Sequence, residues 1–192
     1  ARFKVHFAGP LVTFQDAGRM GHLRFGVPAS GPMDRFSFAA SHAALAQDQS
    51  GTAIEVSLGG IVLECVEGSV SIAVTGGDFR ITCAGRDNTG WGVHTLQSGD
   101  KISLRAGAWG SWAYITFAGE VEATQWLGAT ATHALSGFGG GALATGDTFT
   151  VGEAKVLDSR VGEIPIPDFA RPTRRVKVVM GPQDHHFSQQ SV

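Results

Sequence analysis

Short apolar segments separated by glycine-containing turns occupy the middle of the chain, and they restrict the possible folds more than any other feature. Apolar and polar side chains alternate in residues 54–58, and large apolar side chains recur at every second position in residues 70–74. Residues 61–66 form another mainly apolar run between them. A period of two is typical of a strand with one buried face. Strands this short, at this spacing, predict a closed or nearly closed antiparallel β structure.

The second half of the chain continues this pattern. Residues 96–104 and 143–151 share the pattern L-x-x-G-D-x-φ-x-φ, where φ is apolar, and residues 112–117 are strongly apolar. Gly-Asp favours a turn and the alternating tail favours a strand, so we interpret both repeats as architectural. The apolar segment 112–117 is predicted to be a central strand.

One helix is expected in this all-β chain. Pro32 suits a first helical position, with Ser30 or Gly31 as the cap and Asp34 in the first turn. The helix should end by Gly51, after an alanine-rich segment. The side chains that recur at three- and four-residue steps, and that we expect to face a core, are Met33, Phe36, Ala40 and Ala43.

Composition excludes several classes of function. The 192 residues carry a net charge of −2, so no basic field predicts binding to nucleic acid. No apolar run approaches the roughly 20 residues that span a bilayer. The two cysteines, Cys65 and Cys83, form no C-x-x-C pair, which favours a reducing, cytoplasmic location. The histidines lack the spacing of a metal site, so no metal is expected.

Glycine and proline are densest in residues 9–34, which predicts a loop with a specified backbone. A guanidinium at Arg19 could grip a carboxylate or phosphate from an exposed loop, or could form a local salt bridge with Asp16. The amide of Gln15 could bind an amide or lactam, or the backbone of a nearby turn. Each of these residues therefore has both a functional and a structural interpretation.

The end of the same loop leaves similar alternatives open. The backbone N–H groups of Ser30 and Gly31 could bind an anion, although helix capping is commoner. The carboxylate of Asp34 could act as an acid or base, or could only favour the helix dipole. The turn at residues 75–78, Thr-Gly-Gly-Asp, is also a candidate part of a cleft.

Two joined motifs carry a family resemblance. Residues 9–21 read G-P-L-x-T-x-Q-D-x-G-R-x-G, and residues 26–34 read G-V-P-x-S-G-x-M-D. Together they resemble the opening signature of a bacterial family. It comprises the C subunit of 5-oxoprolinase, the subunit 2 proteins once called allophanate hydrolase, an antagonist of a sporulation kinase inhibitor, and part of the carboxyltransferase domain of urea carboxylase.

The resemblance implies a cyclophilin-like closed β-barrel with one helix. It also implies ATP-dependent opening of 5-oxo-L-proline to L-glutamate, together with a related β-barrel subunit (B-type) and a third catalytic subunit (A-type). This chain would be inactive alone. Alternatives within the family are a regulatory module that antagonises a kinase inhibitor, and a urea or allophanate carboxyltransferase component. No ATP site can be located in the sequence.

Within that implied activity, we expect Arg19 and Asp34 to be catalytic. Gln15, Asp16 and the backbone of Ser30 and Gly31 are the expected substrate contacts. The chain departs from the family in three places. Residues 118–120 read A-G-E where the family has G-G-I. Residues 127–132 read L-G-A-T-A-T where the family has L-G-S-R-S-T, and residues 41–42 read S-H where the family has A-N.

The end of the chain predicts a domain boundary. Residues 1–160 are the expected barrel domain. Residues 161–175, rich in proline and arginine, are the expected linker. Residues 176–192 loosely repeat the opening of the chain, so we expect them to begin a second, truncated β domain.

Overall fold

The computed structural model describes residues 1–188 and 190, and it confirms an all-β fold with one α-helix. The strands form two antiparallel sheets. The seven-stranded sheet has the spatial order β11 (Glu120–Val121), β12 (Thr148–Gly152), β1 (Arg2–Ala8), β4 (Ile61–Glu67), β9 (Lys101–Ala106), β6 (Phe79–Cys83) and β7 (Arg86–Thr89). The six-stranded sheet has the order β13 (Gly162–Ile164), β8 (Trp91–Gln97), β5 (Ser69–Gly76), β10 (Trp112–Phe117), β3 (Ala53–Ser57) and β2 (Thr13–Gln15).

Aromatic side chains join the two sheets into one core. Phe3 of β1 and Phe117 of β10 come from different sheets, and their ring centroids lie 5.1 Å apart. Phe149 of β12 stacks on Phe3 at 5.2 Å. All three rings are buried. The predicted central strand, β10, lies between β5 and β3.

The two L-x-x-G-D repeats form the same turn, as the sequence predicts. In the first, Oδ2 of Asp100 accepts a hydrogen bond from the N–H of Gln97, at 2.9 Å. In the second, Oδ2 of Asp147 accepts one from the N–H of Ala144, at 2.8 Å. The glycine before each aspartate has a φ of +94° or +100°, a conformation that side chains disfavour. Each repeat leads into a strand, β9 or β12.

The helix α1 (Arg35–Ala44) begins later than predicted. Asp34 is its N-cap and does not lie in the first turn, because Oδ1 of Asp34 accepts hydrogen bonds from the N–H groups of Phe36 and Ser37. Pro32 therefore precedes the helix. The carboxylate side chain is the better cap, since it satisfies donors that have no partner within the helix. The helix ends at Ala44, before Gly51 as expected.

The predicted buried face of α1 is wrong. Met33 and Phe36 are 68% and 73% exposed, whereas Phe38 is 3% exposed. The prediction assumed an apolar core beneath the helix, but α1 lies on the outer face of the six-stranded sheet, which is polar there. The helix residues buried with Phe38 are Ser37, Ser41 and His42.

Among the described residues after 160, one short segment forms a strand. Within the predicted linker, β13 pairs with β8, the edge strand of its sheet. Residues 165–188 contain only 3₁₀ turns, at Asp168–Ala170 and Asp184–His186, and the valines at 176, 178 and 179 are exposed. The start of a second domain at residues 176–192 stays a prediction, and its positions 189, 191 and 192 lie outside the described residues.

Candidate functional site

The glycine-rich loop is closed at a narrow neck. Here the N–H of Arg19 donates to the carbonyl of Ala29, at 2.8 Å. Gly18 lies at this neck with a φ of +93°, and a Cβ there would come within 2.9 Å of two carbonyl oxygens. Only glycine allows so close an approach of two backbones. The intervening residues 20–28 project from the neck, and they include the 3₁₀ turn Leu23–Phe25.

Arg19 is buried, which corrects the expectation of an exposed loop arginine. Its side chain is 3% exposed, and all three guanidinium nitrogens donate hydrogen bonds. Nη1 donates to Oγ of Ser30 at 3.0 Å, Nε donates to the carbonyl of Trp126 at 3.3 Å, and Nη2 donates to the carbonyl of Ala131. The guanidinium carbon also lies 4.7 Å from the centre of the Trp126 ring. Arg19 therefore fastens the neck to the loop at residues 126–132.

Asp16 does not pair with Arg19, which corrects the proposed local salt bridge. Its Oδ1 accepts from the N–H of Gly18 at 2.8 Å, and its Oδ2 accepts from the N–H and hydroxyl of Thr130 at 2.6 and 3.1 Å. The carboxylate thus shapes the neck and joins it to the same neighbouring loop. Thr130 belongs to the segment that departs from the family sequence, and in this chain the segment makes a structural contact with Asp16.

Gln15 is buried in β2 and is only partly satisfied. Its Nε2 donates to the hydroxyl of Thr13 at 3.0 Å and to the carbonyl of Thr132 at 3.3 Å. Its Oε1 has no hydrogen-bond partner within the described part of the chain. Ser30, with a φ of +56°, contributes its hydroxyl to Arg19, and Gly31 packs against the backbone of Ala17. Loop closure brings these predicted residues together.

Asp34 lies at a different corner, beside the turn at residues 75–78. Together with Gly76 and Gly77 it lines a cavity of about 90 Å³. Besides capping α1, Asp34 accepts a hydrogen bond at Oδ2 from the hydroxyl of Ser37, at 2.5 Å. The structure thus joins Asp34 to the Thr-Gly-Gly-Asp turn that the sequence singled out. It does not place Asp34 among the residues that Arg19 holds.

A buried Glu55–Tyr114 pair lies behind Asp34, and sequence reasoning missed it. The hydroxyl of Tyr114 donates to Oε2 of Glu55 at 2.8 Å and accepts from the N–H of Asp34 at 2.7 Å. The N–H of Met33 also donates to Oε2 of Glu55. Glu55 is 4% exposed and Tyr114 is fully buried. In sequence, Glu55 looked like the polar residue of an alternating strand, because nothing local showed that Met33 and Tyr114 would contact it.

Burial controls the ionisation of this pair. Burial raises the pKa of Glu55 above its ordinary value, although the hydrogen bonds from Met33 and Tyr114 partly oppose that rise. Burial also raises the pKa of Tyr114, so its hydroxyl stays protonated and can donate to the carboxyl group. Buried carboxyl groups with a raised pKa are common at acid–base sites.

The largest described cleft, of about 680 Å³, lies on the other side of α1 and is acidic. Four carboxylate side chains line it, and no lysine or arginine is among its described lining residues. His42, one of its walls, is 1% exposed, and burial lowers its pKa. Its ring nitrogens lie 3.0 and 3.1 Å from two backbone carbonyls. The carboxylates are those of Asp16, Asp48, Glu120 and Glu122.

Metal-binding clusters and membrane-spanning helices are both absent from the described residues. No group of three or more His, Cys, Asp or Glu side chains among them could hold a metal ion. No helix among them is long and apolar enough to cross a membrane.

The chain is an antiparallel two-sheet β protein with one helix over a polar sheet face. Its glycine-rich loop is closed at the neck. The model of the family "carboxyltransferase domain, subdomain A and B" matches residues 25–192. The chain therefore belongs to this family, in agreement with the resemblance seen in residues 9–34.

The chain is also similar in sequence to individual proteins. The chain is 33% identical over 140 residues to urea amidolyase of Saccharomyces cerevisiae, and the match covers 71% of this chain and 8% of that protein. It is 28% identical over 158 residues to the C subunit of 5-oxoprolinase from Haemophilus influenzae, and this match covers 81% of this chain and 51% of that protein. The chain thus spans about half the length of this C subunit.

A solved structure shows the same fold. The crystal structure of K. lactis urea amidolyase superposes with a TM-score of 0.74 at 29% identity, over 89% of this chain and 10% of that one. The relatives are enzymes or parts of enzyme assemblies, so the chain is related to enzyme subunits.

Proposed function

We propose that this chain is one component of a heteromeric, ATP-dependent 5-oxoprolinase, which opens 5-oxo-L-proline to L-glutamate. The observation that carries the proposal is the extent of the match: 81% of the chain aligns with the C subunit of a 5-oxoprolinase, and the alignment covers 51% of that protein, against 8% of the yeast urea amidolyase. A chain of this type is expected to work in an assembly with A-type and B-type subunits.

Asp34 is the residue that we propose for acid–base work on the substrate. It is half-buried at the mouth of a small cavity, and its carboxylate is held by the N–H groups and hydroxyl at the start of α1. A lactam is stabilised by resonance, so ring opening requires a positioned group to move protons. The Glu55–Tyr114 pair holds the backbone of Met33 and Asp34, and we propose it as the positioning pair behind Asp34.

Arg19 fits a different role from that of a direct substrate contact. With every guanidinium nitrogen already donating within the protein, it is better suited to hold the loop in shape. Gln15, Asp16, Ser30 and Gly31 support the same loop. We therefore propose that these five residues hold the loop in position. Any substrate contact from this region is then expected from other groups of the loop.

The described residues do not fit an ATP site. The largest cleft is lined by carboxylates, which repel phosphate groups. The N-terminus of α1, the natural place for a phosphate, is already occupied by the Asp34 side chain. No step is therefore assigned to ATP on this chain, and we propose that a partner subunit binds it.

The same loop supports the heteromeric part of the proposal. Residues 20–25 carry three large apolar side chains that are 64–77% exposed, and such side chains often mark a protein interface. They are Met20, Leu23 and Phe25. A related β-barrel subunit placed there would cover these side chains and remove them from water.

Co-expression with candidate A-type and B-type subunits tests the proposal. The purified assembly should release L-glutamate from 5-oxo-L-proline only when ATP is present. Asp34→Asn should abolish release, since asparagine keeps the helix cap but cannot transfer the proton. Asp48→Asn, a change of the same charge in the acidic cleft, is the matched control and should retain activity.

The outcomes separate the alternatives. Carboxyl transfer from urea or allophanate that avidin blocks would favour a biotin-dependent carboxyltransferase, which the 33% identity to urea amidolyase also supports. A stable complex without any turnover would favour a regulatory binding module. Release of glutamate by this chain alone would contradict the proposal of a heteromeric site.

A further inference from the structure

A separate cavity of about 330 Å³ opens between the edges of the two sheets. One wall is the hairpin of β6 and β7, which ends the seven-stranded sheet. The other wall is formed by β8 and β13, which end the six-stranded sheet. The cavity therefore lies at the side of the molecule where the sheet edges are open, away from Asp34 and Arg19.

The strand register shows that Arg86 lies on the inner face of the first wall. Cys83 of β6 is paired with Ile102 of β9, a fully buried core residue, and on its other side with Arg86 of β7. Directly opposed residues of an antiparallel pair place their side chains on the same face of the sheet. Arg86 thus shares the core face with Cys83, and it reaches the cavity because β7 is the edge strand.

The same argument places His94 and Glu163 on the inner face of the second wall. His94 of β8 is opposed by Ile72 of β5, which belongs to the core between the sheets. Gly92, two residues before His94, shares its face and is opposed by Glu163 of β13. Both walls therefore direct ionisable residues into the space between the sheets.

His94 presents a buried nitrogen that has no partner. Its Nε2 is inaccessible to solvent and makes no hydrogen bond within the described residues. Such groups are rare in folded proteins, because an unsatisfied buried donor or acceptor costs free energy. Burial lowers the pKa of His94, so the ring is neutral near pH 7. A Cβ at Gly92 would lie only 3.0 Å from Nε2, so glycine at this position leaves room for the imidazole ring itself.

The remaining lining residues offer two opposite charges and an uncharged thiol. Arg86 and Glu163 project from opposite walls, and neither forms an ion pair within the described part of the chain. Burial raises the pKa of the Cys83 thiol to about 11, so it is uncharged near pH 7. A ligand in the cavity would therefore contact a cation on one wall, an anion on the other, and the uncharged thiol of Cys83.

We propose that this cavity binds a small zwitterionic α-amino acid. Its carboxylate would lie against Arg86, which can donate two parallel hydrogen bonds, and its ammonium would lie against Glu163. The volume is at the lower end of the range for small-molecule sites, which suits an amino acid. This binding is independent of the proposed 5-oxoprolinase activity.

Titration of the isotope-labelled chain with L-glutamine tests the proposal. The NMR signals of the His94 imidazole should shift and saturate, because His94 lines the cavity. Glutaramic acid lacks the α-ammonium and loses the charge-assisted contact to Glu163. Its affinity should be lower by about tenfold or more. The absence of saturation by L-glutamine up to about 10 mM would overturn the proposal, because weaker binding is non-specific.

Two variants and a matched control complete the experiment. Arg86→Ala should weaken L-glutamine binding about tenfold or more. Arg80→Ala removes the same charge from β6 at a position on the opposite face, outside the cavity lining, and should bind like the parent chain. If Arg86→Ala disturbs folding, Glu163→Gln provides the second test. Equal affinity in Arg80→Ala and in the folded cavity variants would contradict the proposed site.

Discussion

The two faces of strand β10 differ in the kind of interaction that they make. Ile115 and Phe117 face the core between the sheets, where contacts are apolar. Tyr114 and Thr116 face α1, where the hydroxyl groups of both have partners. The Oγ1 of Thr116 lies 2.5 Å from the Oγ of Ser41, and Tyr114 links Glu55 to the backbone of Asp34.

The two faces of β10 therefore contribute differently to the stability of the fold and to the position of Asp34. Apolar burial is proportional to area and has no preferred direction, so the inner face holds the sheets together without fixing the location of any particular group. Hydrogen bonds require defined distances and angles, so the outer face fixes α1 and its N-terminus to the sheet. We therefore expect mutations on the inner face to act on stability, and mutations on the outer face to act on the position of Asp34.

The largest effect is expected for Phe117→Ala. Removing a buried aromatic ring from a core cluster typically costs about 3–5 kcal/mol, because it loses apolar burial and leaves a cavity. Urea denaturation should show this loss in the free energy of unfolding. Phe36→Ala is the control, since Phe36 is 73% exposed and should cost less than about 1 kcal/mol. Equal costs for the two variants would contradict the assignment of the core.

Tyr114→Phe should have the next largest effect. It leaves the N–H of Asp34 without its acceptor and removes one donor from Glu55, which together should cost about 1–3 kcal/mol of unfolding free energy. The amide of Asp34 should also exchange faster with solvent. Thr75→Val, which removes the hydrogen bond to the carbonyl of Ser37 but leaves Asp34 untouched, should not change that exchange rate.

Glu55→Gln should change the pH dependence of stability. The folded state raises the pKa of Glu55, so the protonated form is favoured by folding. The contribution of Glu55 is fully present below its unfolded pKa, and it is lost as the pH rises through the raised folded pKa. The variant should therefore lose less stability than the parent chain between about pH 4 and pH 7.

Thermal unfolding across that range measures the effect. Glu120→Gln removes a carboxylate from an exposed position, and it reports the effect of a lost charge alone. A steeper loss of stability in Glu55→Gln than in the parent chain would show that the native state prefers the ionised carboxylate.

The smallest effect is expected at the helix cap. Asp34→Ala should cost about 1 kcal/mol, because it removes the acceptor for the N–H groups of Phe36 and Ser37. Asp34→Asn should cost less, since asparagine caps a helix nearly as well. Comparing the two melting curves separates the capping role of Asp34 from the acid–base role that we propose for it. A larger loss for the asparagine variant would contradict the capping geometry.

Prediction of the candidate site succeeded for the loop and failed for its contacts. The glycines and prolines of residues 9–34 indicate a specified loop, and Gly18 and Gly31 do form its neck. Arg19 was expected in solvent, but the loop at residues 126–132 covers it. Glu55 was missed for the same reason, because its partners Met33 and Tyr114 come from other segments. In both cases the covering residues lie far away along the chain.

The sequence by itself determined the central strands, the Gly-Asp turns and the single helix, because alternation, turn chemistry and capping act between residues a few positions apart. Only the tertiary structure decided which face of α1 is buried, where Arg19 donates its hydrogen bonds, and that Arg86 and His94 meet at one cavity. These outcomes depend on which strands become neighbours, and the pairing of β6 with β9 or of β5 with β8 joins distant segments. Burial and partners follow from that pairing, so they could not be read from local pattern.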